Sequence, residues 1–150
     1  MKPVVQLEKT GCGIACAAAI AGISYANAKS EAASLGICAS DSSLWSDPVH
    51  VRKLLRYLGF RASSRKIPFR SWSALPKLAL LSIKWHVESG RPYWHWVVYV
   101  REESEVYVLD SKMALRNNKR KDFGRIKPKW YIAVSSAPQT VAADAASRRG

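Results

Sequence analysis

Cysteine is scarce in this chain of 150 residues: only Cys12, Cys16 and Cys38 occur. An odd count at these spacings builds no disulfide framework, so free thiols in a reducing compartment are expected. Together with His50 they match no standard zinc spacing, and neither a metal nor a cofactor is expected. Long apolar runs are missing as well. None reaches the roughly 18–20 residues that a membrane span needs. The opening Met1-Lys2-Pro3-Val4-Val5-Gln6 lacks the apolar stretch of a signal peptide. The expectation is a soluble cytoplasmic protein with no membrane span. Acidic side chains are few: 11 Asp and Glu stand against 24 Lys and Arg, a formal net charge of +13. Much of the excess falls in Arg65, Lys66 and Arg70, and again in Arg116, Lys119, Arg120, Lys121, Arg125, Lys127 and Lys129. Such runs read as a solvated basic surface, or as a face for an acidic protein partner or nucleic acid. No basic helix with interleaved aromatics and no single-strand stacking motif accompanies them, so the nucleic-acid reading rests on charge alone.

What is present is ample apolar material. Hydrophobic residues make up 48% and aromatics 10%, enough for one cored domain, expected over 1–135 with a flexible tail over 136–150. Small residues from 11 to 21 predict a closely packed helix stopped by Gly22. Ser24 caps a second helix ending before Gly36, and Asp47-Pro48 starts a third whose apolar face is Val51, Leu54, Leu55 and Leu58. The period then changes. Expected strands run over 60–66, 78–85, 93–101, 105–110 and 130–134, with a single helical turn near 71–75. Helices first and antiparallel strands second is an α+β pattern.

Within that frame four side chains form an ordered set. Cys12 opens the first helix, where unpaired backbone N–H groups and the helix dipole favour a thiolate. Flanking Gly11 and Gly13 let the chain turn tightly and leave the sulfur accessible. Cys16, one turn deeper among alanines, reads as core; Cys38 has no base beside it. His95 sits in an apolar strand, where a histidine needs a hydrogen-bond partner, and it titrates near neutrality, as a base for a thiol must. His50 lies on a helix that reads as structural, and no acid motif follows His86. Trp94 and Trp96, on either side of His95, read as core or as a shield over its hydrogen bond. Asp110 ends the next strand. A hairpin loop of two or four residues would set residue 97 opposite residue 110 and put Asp110 diagonal to His95 on the same face. A loop of three would turn it away. Gln6 is placed to offer an amide N–H to a tetrahedral oxyanion, alongside the Cys12 backbone N–H.

With Gln6, Gly11-Cys12-Gly13, Tyr25, Leu58-Gly59-Phe60, His95-Trp96-Val97-Val98 and Val108-Leu109-Asp110, the chain resembles the bacteriocin-processing peptidases, papain-like domains that cut leader peptides after a double glycine. The resemblance spans roughly 4–134. It implies a papain-like α+β fold and a cysteine peptidase with Cys12 as nucleophile, His95 as base, Asp110 as its partner and Gln6 as oxyanion donor. A peptide or protein substrate, with an acidic one suited to the basic surface, is then expected. An acyl transferase or deamidase would share the thioester chemistry, and a non-catalytic basic binding protein would share the fold.

Overall fold

A computed structural model describes residues 1–137. Three helices come first: α1 Cys12–Ala21, α2 Tyr25–Ser34 and α3 Val49–Tyr57. Seven strands follow: β1 Phe60–Ala62, β2 Ile67–Pro68, β3 Leu78–Glu88, β4 Arg91–Arg101, β5 Val106–Leu109, β6 Lys119–Arg120 and β7 Trp130–Ser136. They form one antiparallel sheet ordered β1-β7-β3-β4-β5-β6, with β2 also paired to β7. The architecture is α+β, as the change of period along the chain implies.

The helix ends obey local chemistry. Gly22 leaves α1 in the left-handed conformation, φ 72°, which glycine adopts without steric cost. The Ser24 side chain accepts from the Asn27 N–H, and the Asp47 carboxylate accepts from the Val49 N–H at 2.8 Å. Helix α1 is buried nearly throughout, so its small residues let neighbours approach from every side.

The sheet is covered on both faces. Trp94, Trp96, Val98 and Val100 of β4 pack with α1 and with Val51, Leu54 and Leu55 of α3. Val97 and Tyr99, alternating with them, face a second cluster that holds Leu81, Ile83, Val108 and Ile126. Two short 3₁₀ turns, Trp72–Ala74 and Phe123–Arg125, roof that cluster. The Trp72 and Phe123 rings meet edge to face at 4.9 Å.

Several boundaries differ from the sequence-based expectation. Of the expected strand over 60–66 only β1, Phe60–Ala62, forms, and β2 follows beyond it; both pair with β7. Strand β3 runs on to Glu88 and turns into β4 through Ser89 and Gly90, both with positive φ (51° and 76°). That is the backbone of a two-residue hairpin, signalled by the Ser-Gly pair. The 3₁₀ turn Ser42–Ser46 and strand β6 fall in segments where no helix or strand is expected from the sequence. Strand β7 reaches Ser136; the rest of the expected tail, 138–150, lies outside the described residues. Among the described residues no helix is long and apolar enough to cross a membrane.

Candidate active site

Hairpin β4–β5 decides where Asp110 points. Arg101 pairs with Val106 and Val98 with Leu109, so the loop is residues 102–105 and its length is even. The same register carries Asp110 to the face of His95. The two side chains meet: His95 Nε2 donates to Asp110 Oδ1 at 2.8 Å. Asp110 is 1% exposed, and its other contacts hold it in place. The Lys112 N–H donates to Oδ1 at 3.2 Å, and Arg120 Nη1 donates to Oδ2 at 3.0 Å. Burial pushes the Asp110 carboxyl up, but hydrogen bonds from His95, Lys112 and Arg120 outweigh it and hold the group at about 2.

Helix α1 opens with Cys12, and its thiol is near enough to His95 to act on the ring's proton. With Nε2 bound to Asp110, Nδ1 is the nitrogen left for the thiol. Burial favours a neutral His95 ring, yet Asp110 and then Cys12 hold its proton more strongly and raise its pKa to about 9. The Asp110 carboxylate and the Cys12 thiol therefore both bear on the His95 ring. Cys12 itself is 1% exposed.

The glycines beside Cys12 act through space, not through unusual backbone angles. Gly11 has φ −87°, which any residue adopts. A Cβ there would lie 2.1 Å from the Tyr25 hydroxyl, which donates to the Glu8 carboxylate. A Cβ on Gly13 would lie 2.5 Å from His50 Nε2, and His50 is buried. The expected open approach to the sulfur is not what these glycines provide; they let Tyr25 and His50 pack against the start of α1.

Gln6 faces the same cleft. Its Oε1 accepts from the Ser111 hydroxyl at 2.7 Å, and its backbone N–H donates to the Ser111 carbonyl at 3.0 Å. Its two amide hydrogens go to the carbonyls of Glu8 and Lys9, at 2.9 and 3.0 Å. Each of these carbonyls has a second donor: the Gly11 N–H for Glu8 and the Trp45 indole N–H for Lys9, at 3.1 Å. Gln6 can release one N–H without stranding either carbonyl.

Two adjoining cavities flank His95, of about 270 and 370 Å³, and Trp45, Lys84 and His95 line both. The smaller holds His86, Glu88, Tyr93 and Trp94. The larger holds Gln6, Lys9, Lys112 and Met113.

Of the remaining sequence candidates, Cys16 is buried in α1, which raises its thiol pKa well above the ordinary value. Cys38 is exposed. Trp94 and Trp96 pack on Trp130 at 4.9 and 5.3 Å, as core. Arg120 and Trp45 are site residues that sequence reasoning missed. Arg120 lies in a two-residue strand, too short for periodicity, and Trp45 in a 3₁₀ turn without a helical pattern. The basic run around Arg120 is also partly paired, since Lys119 and Lys121 both bridge Glu105 at 2.6 Å.

No family model matches the chain, and no curated protein matches it in sequence. Among solved structures it is similar to a double glycine motif protease from an AMS/PCAT transporter, crystallised in complex with the leader peptide. The TM-score is 0.59 at 15% identity, over 91% of each chain. At that identity the likeness establishes the fold: this is the α+β architecture of a papain-like peptidase domain.

Proposed function

We propose that the protein is a papain-like cysteine peptidase that hydrolyses a peptide or isopeptide bond through a thioester. The observation that carries this reading is the buried His95–Asp110 hydrogen bond at 2.8 Å, beside which the Cys12 thiol also favours the His95 proton, with the ring raised to about 9. At neutral pH the imidazole then holds the proton and the sulfur acts as nucleophile. The thiolate attacks the carbonyl carbon and forms a C–S bond, and the oxygen becomes an oxyanion. The Cys12 backbone N–H, at a helix start where such groups lack an intrahelical acceptor, and one N–H of Gln6 receive it. His95 Nδ1 gives its proton to the amine nitrogen as the C–N bond breaks. Water then loses a proton to Nδ1 and attacks the thioester, releasing the acid and regenerating the thiolate. Asp110 keeps the ring oriented throughout.

The solved neighbour was crystallised with a leader peptide, which supports a peptide as the substrate class here. A non-catalytic binding protein on the same fold is favoured by one observation, the 1% exposure of Cys12. Incubation of the protein with a proteome-derived peptide library, read by mass spectrometry, separates the two. The expected result is cleavage by the wild type and none by Cys12→Ala or His95→Ala. Cleavage that survives both substitutions would sink this mechanism.

A further inference from the structure

The larger cavity beside His95 is one-sided in charge. Lys9 reaches it from the turn before α1, Lys84 from β3 and Lys112 from just beyond Asp110, and no Asp or Glu lines it. Three other lysines do find carboxylates: Lys29 meets Glu8, and Lys119 and Lys121 meet Glu105. Among the described residues, none of the three cleft lysines has a carboxylate within ion-pair distance.

Lys84 is also placed by an unusual backbone. Ile83 pairs with His95 and His86 with Tyr93, so β3 carries one extra residue there, a bulge. Lys84 adopts φ 54° in it, a conformation that non-glycine residues seldom take. The His86 Nδ1 holds the Lys84 carbonyl at 2.9 Å. The bulge turns this lysine to the wall of both cavities. Partial burial, and then the ammonium of Lys112 close by, lower its proton affinity. An anion lying between the two ammonium groups relieves that repulsion.

We propose that Lys84 and Lys112, with Lys9, form a subsite for a substrate carboxylate carried within a residue or two of the bond presented to Cys12. The proposal rests on the thiol reading above and adds a substrate preference to it. A carboxylate can come from an Asp or Glu side chain or from a chain terminus, and the test distinguishes them. A nucleic-acid backbone fits less well, because the three lysines gather at one hollow of about 370 Å³ beside His95.

The probes are chloroacetyl-Gly-Glu amide, chloroacetyl-Gly-Gln amide and chloroacetyl-Gly-Gln with a free carboxyl terminus. Their labelling of Cys12 is followed by mass spectrometry, with the exposed Cys38 as internal reference. A charge-assisted contact predicts about tenfold faster labelling of Cys12 by a carboxylate probe than by the neutral one. The Glu amide gains if the site reads side chains; the free acid gains if it reads termini. In the Lys84→Met, Lys112→Met double variant the ratio falls to about that at Cys38, and in Lys84→Arg it persists. Equal labelling by all three probes, or a ratio that survives the double variant, overturns the subsite alone. Failure of every probe to label Cys12 overturns the thiol reading and the subsite with it. Protection of Cys12 from the neutral probe by oligo-dT, but not by free glutamate, assigns the lysines to phosphate and overturns the carboxylate proposal.

Discussion

Asp110 is the residue on which the site's electrostatics turn. It is buried, it is charged, and its two oxygens are shared among His95, Lys112 and Arg120. A buried carboxylate without those donors would be costly; with them it fixes the imidazole. Asp110→Asn retains shape and removes charge. Burial of His95, no longer opposed by the carboxylate, then pulls its pKa down from about 9 by roughly one to three pH units. Titration of the His95 ring protons by NMR reads this directly. A pKa that stays near 9 in the variant would mean that Asp110 does not hold the proton. Gln6 works differently. Its amide is already committed to its own chain, so the proposed oxyanion role requires an exchange of partners, with Ser111 steadying the oxygen end.

At the scale of elements, the site is a meeting of one helix start and one hairpin. The hairpin's contribution is register: an even loop puts His95 and Asp110 diagonal on one face. The helix's contribution is close approach, which needs residues without side chains. Gly13→Ala tests that claim. Helix propensity alone favours alanine by about 1 kcal/mol. The added Cβ would lie 2.5 Å from a buried His50 ring, and overpacking of this kind costs about 1–3 kcal/mol. Net destabilisation in urea unfolding is expected. Gly124→Ala, where a Cβ meets nothing within 4 Å, is expected to change stability little. If Gly13→Ala proves as stable as the wild type, His50 is not packed against α1 as described.

For the whole molecule, the His95–Asp110 pair ties stability to pH. The folded His95 pKa is raised to about 9 from an ordinary 6.5. Below 6.5 both folded and unfolded rings are protonated and the contribution is complete; it is lost as pH rises through about 9. The folded Asp110 pKa is lowered to about 2 from 3.8. Its contribution is present above 3.8 and lost as pH falls through about 2. His95→Gln is therefore expected to cost more stability at pH 6 than at pH 10, by about 2–3 kcal/mol. Urea unfolding of both proteins at the two pH values measures it. An equal cost at both would mean that the folded ring carries no extra proton. The surplus of positive charge acts on the same scale but is unevenly used. The run around Arg120 is tied to Glu105, Asp110 and Asp122, while the cleft draws its cations from lysines scattered along the chain.

Much of this was written locally. The small residues of α1, the Ser24 and Asp47 caps, the alternation of β4 and the order Gln6, Cys12, His95, Asp110 can be read from the chain, because capping and periodicity depend on near neighbours. The face shared by His95 and Asp110 was legible up to the parity of one loop. Other features had no local signature: Arg120 behind Asp110, Trp45 at the cleft wall, the commitment of both Gln6 hydrogens, and the gathering of Lys9, Lys84 and Lys112. A residue's periodicity tells which side of its own element it occupies, but not which other element packs there. Packing of α1 and the loops against a twisted, bulged sheet made that choice. It brought distant side chains into hydrogen-bond and charge contact, and those contacts set the chemistry.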